Sequence, residues 1–180
     1  MINDLEEILF SREEIAEGVR RIAQEIARDY ENRQLVCVGI LKGGFIFMSD
    51  LVRELPMQIE TDFMVVSSYG NNTSSTGALI IRKELTTDIR NKDVLIIEDI
   101  VDSGRTLSYL KQYLSGRGAA SIKICALLDK PEGRTVELEA DYKVFECENK
   151  FVVGYGLDFA EKYRNLPLIG VLKPGVYKNA

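Results

Sequence analysis

Histidine is absent from this chain of 180 residues, and cysteine occurs only as Cys37, Cys125 and Cys147, far apart from one another. Without histidine there is no histidine-based catalytic triad. The cysteine spacing leaves neither a CxxC redox pair nor a zinc-binding cluster. No apolar run is long enough for a membrane span or the core of a signal peptide. With the odd number of cysteines, this sets the expectation of a reducing, cytoplasmic setting with no membrane partner. Cations are also in short supply: 23 Lys and Arg against 28 Asp and Glu give a net charge of −5. That balance argues against a nucleic-acid footprint and favours small-molecule partners. A Gly-Lys-Ser/Thr phosphate loop and a GxGxxG dinucleotide turn are missing too, as are repeats and low-complexity segments.

What remains is 46% hydrophobic and 28% charged, which suits one globular domain spanning 1–180 with a proper core. Ser11 and Glu14 make a capping box ahead of Ile15, Val19, Ile22 and Ile26 at helical spacing, so an amphipathic helix is expected there. Residues 35–40 read as a strand. After a turn at Lys42, Gly43 and Gly44, the spacing of Phe45, Met48, Leu51, Val52 and Leu55 predicts a helix. Strands are expected at 61–68, 78–82 and 121–128, the last after a helix closed by Gly116 or Gly118. Between the first two lies a polar, glycine-flanked stretch, 69–77, that reads as a mobile loop or a plain hairpin tip. The alternation of strand and helix predicts an α/β fold with a central, mostly parallel sheet flanked by helices. Past Lys130 the alternation stops, and short strands at 142–145, 151–155 and 168–172 are expected to form a small lobe over the sheet's carboxyl edge.

The most informative stretch is 94–107, VLIIEDIVDSGRTL. Val94, Leu95, Ile96 and Ile97 form the apolar run of a strand buried on both faces, so charge must wait for its end. There Glu98 and Asp99 point to opposite faces, at the edge where open α/β sheets bind ligands; two carboxylates suit hydroxyls or a metal. Asp102, Ser103, Gly104, Arg105 and Thr106 then lead into a helix carrying Leu107, Leu110 and Leu114. Free N–H groups at its start, close backbone approach at Gly104 and the Ser103 and Thr106 hydroxyls would cradle a monophosphate. The same pattern also describes a buried strand followed by an acidic, N-capped turn. Lys42 reads as a polyphosphate contact or an exposed turn lysine, Phe151 as a stacking face or core, and Asp158 as a ligand or a solvated charge.

Residues 94–107 resemble the phosphoribosyl pyrophosphate motif of the type I phosphoribosyltransferases, with its paired acids and Asp-Ser/Thr-Gly turn. Leu41-Lys42-Gly43-Gly44 resembles that family's pyrophosphate loop, in which the peptide before the lysine is often cis, so a cis Leu41-Lys42 bond is expected. Ser68-Tyr69 matches the start of the family's flexible loop. The segment 150–167, KFVVGYGLDFAEKYRNLP, resembles the base-recognition hood of the 6-oxopurine phosphoribosyltransferases. The similarity runs over about 35–174. It departs at Cys147-Glu148-Asn149, where relatives often carry a hydrophobic-Pro-Asp run, and this puts the turn presenting Phe151 in question.

The resemblance implies a core of about 8–129 and a hood of about 130–180 plus N-terminal residues. It implies transfer of ribose 5-phosphate from phosphoribosyl pyrophosphate to N9 of a 6-oxopurine, hypoxanthine and/or guanine, giving IMP or GMP and pyrophosphate. Mg2+ is the implied cofactor, held by Glu98, Asp99 and Asp158. Glu98, Asp99, Asp102, Ser103, Gly104, Arg105 and Thr106 would bind the phosphoribosyl group, with Asp102 as catalytic base. Lys42, Gly43 and Arg164 would bind pyrophosphate, while Lys130, Phe151, Val152 and Asp158 would bind the base. A homodimer or homotetramer is implied as well. Two rivals share the central motif: a nucleic-acid-binding regulator with the same fold, and a transferase for adenine, orotate or uracil.

Overall fold

The computed structural model describes residues 1–68 and 79–178. In chain order the elements are β1 (Leu5–Phe10), α1 (Arg12–Asp29), β2 (Leu35–Leu41), α2 (Phe45–Glu54), β3 (Ile59–Ser68), β4 (Leu79–Lys83), β5 (Asp93–Val101), α3 (Arg105–Gly116), β6 (Ser121–Asp129), β7 (Tyr142–Glu146), β8 (Val152–Val153), β9 (Ile169–Leu172) and α4 (Pro174–Tyr177). Among the described residues the central sheet has six strands in the order β4-β3-β2-β5-β6-β7. All its neighbours run parallel except β3 and the edge strand β4.

Alternation along the strands divides the core into two layers. Cys37, Leu95, Ile97, Cys125 and Leu127 face one way and pack with Ile15, Val19, Ile22 and Ile26 of α1 and Phe47, Met48 and Leu51 of α2. Val36, Val38, Val94, Ile96, Ile124 and Ala126 face the other way and pack with Leu107, Leu110 and Leu114 of α3. A strand covered on both sides must be apolar at every position, and Leu35–Ile40 and Val94–Ile97 are. The capping box that starts α1 is formed, with Ser11 N donating to Glu14 Oε2 at 2.8 Å and Glu14 N donating to Ser11 Oγ at 3.3 Å.

Chain direction fixes where a ligand can enter. From β2 the path runs through α2 to β3 on one side of the sheet, whereas β5, on the other side of β2, continues through α3 to β6. The order reverses between β2 and β5, and the crevice beyond their carboxyl ends is the topological switch point. The loop after β2 and the acids near the end of β5, just before Ile100 and Val101, therefore meet there.

One expectation is corrected, and one strand is added. Residues 142–145 do not belong to the small lobe: β7 pairs parallel with β6, Cys125 opposite Tyr142, and extends the central sheet. Its sequence, YKVFE, alternates as a half-covered edge strand does. The lobe instead recruits β1, an element the sequence reading did not identify, into an antiparallel sheet of order β1-β9-β8. Glu6 and Glu7 break the alternation of LEEILF, and register shifts on both sides of Glu7 and Ile8 accommodate the interruption. Leu5, Val153, Tyr163, Leu166 and Leu172 form the lobe's own small core. Ser68 ends β3; Tyr69 and the rest of the proposed mobile loop lie outside the described residues.

Candidate active site

Glu98, Asp99, Asp102, Ser103, Gly104 and Thr106 come together around one cleft of about 290 Å³, with Leu41 on the β2 side. Gly104 has φ +78°, a conformation that glycine adopts without penalty, and it is the N-cap of α3 with no side-chain cap. The N–H groups of the first turn of α3 therefore start at this cleft, with Arg105 N making a long bond to Ser103 Oγ at 3.5 Å. Asp102 is exposed and is not the N-cap, the alternative role open to it from the sequence. Arg105 directs its Nε to Thr135 Oγ1 at 3.1 Å and does not line the cleft, and its backbone N–H makes the long bond to Ser103 Oγ.

Proximity of the β2 loop to the acids depends on a missing side chain. A Cβ on Gly43 would lie 1.7 Å from Asp99 Oδ2, so loop and carboxylate can touch only with glycine at this position. The Leu41-Lys42 bond is cis, as the resemblance implied. Asp99 Oδ1 accepts from Ile100 N at 2.8 Å, which fixes the carboxylate's orientation. Burial, and then the charge of Asp99, push Glu98 well above the ordinary carboxylate range. Burial likewise raises Asp99, partly offset by its hydrogen bond with Glu98. Two carboxylates held this way favour a ligand that brings hydroxyl donors or a cation.

Beside them the hood segment folds down on the β2 loop. A Cβ on Gly156 would lie 2.1 Å from Gly43 O. Arg164 donates from Nη1 to Gly156 O at 2.8 Å and pairs through Nη2 with Asp158 Oδ1 at 2.9 Å, while its buried Nε has no partner. Lys42 Nζ pairs with Glu161 Oε2 at 2.9 Å. Glu98, Asp99 and Asp158 do not form a three-ligand cage; among the described residues no group of three or more His, Cys, Asp or Glu side chains could hold a metal ion. The donor set fits a magnesium ion bound by one or two carboxylates and otherwise by phosphate oxygens and water.

Lys130, Phe151 and Val152 lie outside the cleft lining but are tied to its rim. Lys130 N donates to Val101 O at 2.9 Å, and its buried ammonium donates to Lys150 O, next to Phe151. Phe151 is 41% exposed, so it is available for stacking and is not a core residue. One face lies on Tyr177, with centroids 4.8 Å apart and planes at 16°, and Phe159 meets it edge-on at 5.7 Å. Val152 is buried in β8 opposite Val171. At the departure from the family pattern the turn still closes, with Lys150 N donating to Glu148 O at 2.7 Å.

Several supporting residues escaped the sequence reading. Arg134 spans from the Asp102 carbonyl to the carboxylate of buried Asp129, and Thr135 N donates to Ser103 O at 3.0 Å. Segment 133–135 is thus the back wall of the phosphate-loop candidate. Tyr177 and Glu161 are further omissions. Arg134 and Tyr177 lie on polar or short segments whose pattern gives no signal, and Glu161 is one exposed acid within 150–167; only the fold brings them to the site. A larger cavity of about 690 Å³, lined by Arg12, Ile15, Asp50, Arg53, Tyr155 and Leu166 among others, includes none of the candidate residues.

Comparison with known proteins agrees with this arrangement. The family model described as phosphoribosyl transferase domain matches residues 7–160. The chain is 51% identical over 179 residues to a hypoxanthine-guanine phosphoribosyltransferase of Bacillus subtilis, covering 99% of each. It is 52% identical to the bifunctional protein TilS/HprT of Listeria monocytogenes, with 98% of this chain matched but only 27% of that protein's length. A crystal structure of a hypoxanthine phosphoribosyltransferase from Staphylococcus aureus superposes with a TM-score of 0.95 at 48% identity, covering 98% of this chain and 96% of that one. A switch-point crevice with paired acids, a glycine-capped helix start and a matching family model lead to one conclusion: the chain belongs to the phosphoribosyl transferase domain family.

Proposed function

We propose that this chain is a purine salvage enzyme that transfers ribose 5-phosphate from phosphoribosyl pyrophosphate to N9 of hypoxanthine and/or guanine, giving IMP or GMP and pyrophosphate, within one phosphoribosyltransferase domain. The observation that carries the reading is the convergence of Glu98, Asp99 and the Ser103–Gly104–Thr106 turn on one cleft. Its shape suits a pentose bearing both hydroxyls and a phosphate.

In this reading the 5-phosphate sits on the N–H groups at the start of α3 with the Ser103 and Thr106 hydroxyls, and the 2- and 3-hydroxyls donate to Glu98 and Asp99. Lys42, the Gly43 backbone and Arg164 hold the pyrophosphate. The bond from C1 to the pyrophosphate oxygen breaks as the bond from N9 to C1 forms, and the pyrophosphate keeps the bonding electrons. Fixing donor and acceptor in line accounts for most of the acceleration. Asp102 takes up the proton released from the purine, at N7, a role commonly contributing about 100-fold or more. The Lys130 ammonium donates to O6, Phe151 stacks on the ring, and backbone groups at Val152 and Asp158 contact its edge. Stacking of this kind adds on the order of 1 kcal/mol beyond burial.

Mg2+ is proposed as the cofactor, with Glu98, Asp99 and Asp158 as the residues that would hold it directly or through water. What it supplies when bound is neutralisation of charge on the departing pyrophosphate. The three free thiols, all buried, accord with a reducing, cytoplasmic compartment. A homodimer or homotetramer is proposed with it, to be read by light scattering. The test of the activity is a spectrophotometric assay of phosphoribosyl pyrophosphate and magnesium with hypoxanthine, guanine, xanthine and adenine in turn. Hypoxanthine or guanine should be converted, and the reading fails if neither is.

A further inference from the structure

Lys42 and Arg164 are the two cations of the proposed pyrophosphate subsite, and one carboxylate reaches both. Glu161 Oε2 lies 2.9 Å from Lys42 Nζ and 3.4 Å from Arg164 Nη2. Glu161 is the third residue after Asp158, in a segment where Ala160, Glu161 and Tyr163 all have positive φ. Its backbone is pinned there, because Glu161 N donates to Asp158 Oδ2 at 2.9 Å. Residues other than glycine and asparagine rarely adopt φ near +63°, so the fold holds this residue in an uncommon conformation that points its side chain at the cation pair.

We infer that Glu161 is a built-in stand-in for a pyrophosphate oxygen: it occupies the Lys42–Arg164 anion site in the free protein and is displaced when pyrophosphate, or the pyrophosphate group of the substrate, binds. The Lys42–Glu161 pair is open to solvent, with side chains 66% and 65% exposed, so its contribution to folding stability is small and it is easily exchanged. Its effect is on the ligand. A multiply charged anion entering the site must break this pairing and then sits near an unpartnered carboxylate, which repels it. Glu161 therefore weakens pyrophosphate binding and hastens release of that product, while keeping Lys42 and Arg164 oriented for the next substrate.

This inference rests on the proposed pyrophosphate subsite, and the test separates the two. Inorganic pyrophosphate is titrated calorimetrically, in excess magnesium, into the parent protein and into the Glu161→Gln and Glu161→Asn variants. The second variant suits the left-handed backbone and guards against misfolding of the first. One unit charge removed at hydrogen-bonding range from an anion in water corresponds to about a fivefold change in affinity, so both variants should bind pyrophosphate about five times more tightly. In a Lys42→Ala background the gain should shrink. Steady-state product inhibition by pyrophosphate should strengthen in parallel. Equal or weaker binding by both Glu161 variants overturns the inference and leaves the subsite assignment standing. No binding of pyrophosphate by the parent overturns both.

Discussion

Gly43→Ala tests whether the β2 loop and the β5 acids form one site. The substituted Cβ would lie 1.7 Å from Asp99 Oδ2 and 2.4 Å from Asp99 Cγ. An ordinary contact begins at 3.4 Å, so a shift of about 1.7 Å is required, and a displacement of about 1 Å at a reacting geometry costs on the order of 100-fold. The loop has little freedom to give way: Gly44 N is bonded to Ile40 O at 3.1 Å, and Gly43 O is packed beneath Gly156. The short Asp99 side chain must move, losing its bond from Ile100 N. The expected result is a fall of about 100-fold in kcat/KM for phosphoribosyl pyrophosphate, equivalent to about 2.7 kcal/mol, with KM for the purine nearly unchanged. Thermal unfolding should change little, since the clash falls on a ligand-binding side chain outside both core layers. Gly116→Ala is the control, with nothing within 4 Å of its Cβ. Gly43→Ala kinetics within threefold of the parent would refute the claim that Asp99 must sit where the structure has it.

Asp102→Asn keeps shape and removes proton acceptance, so turnover should fall about 100-fold or more with little change in phosphoribosyl pyrophosphate affinity; comparable turnover would remove Asp102 from the chemistry. Lys130→Ala should raise KM for the 6-oxopurine by about tenfold or more, the range for losing a charged hydrogen-bond donor, and unchanged base affinity would contradict the O6 assignment. Glu98 bears on stability as well as binding. Its pKa in the folded protein is above its unfolded value, so the folded state holds the proton more tightly, and stability falls as pH rises from the ordinary carboxylate range through the raised one. Glu98→Gln removes that cost. At pH 7 the variant should be more stable, by about 1 kcal/mol or about 2–4 °C in Tm, and should bind phosphoribosyl pyrophosphate more weakly. A destabilised Glu98→Gln at neutral pH would mean that burial does not oppose the charged form.

The central sheet was legible because a strand covered on both faces has no choice but to be apolar, and 35–40 and 94–97 obey that rule without exception. The paired acids were legible because they interrupt an apolar run, although β5 continues past them to Val101 and leaves both carboxylates largely buried. The hood's β1 was not, since Glu6 and Glu7 sit in a bulged, half-exposed strand whose partner, β9, is more than 150 residues away in sequence. Residues 142–145 have the pattern of a strand, but five residues, YKVFE, do not distinguish an edge strand of the central sheet from a strand of the hood. Arg134, Glu161 and Tyr177 were illegible for a different reason. Their roles come from what stands opposite them in space: a loop carbonyl, a cation pair and an aromatic face.

The most direct test of the central claim is a crystal structure of the protein with IMP bound. The account predicts the phosphate on the first-turn N–H groups of α3 with Ser103 and Thr106, the ribose hydroxyls on Glu98 and Asp99, and O6 at the Lys130 ammonium. A nucleotide seated instead in the larger cavity between α1 and α2, with the Glu98–Thr106 cleft empty, would contradict it.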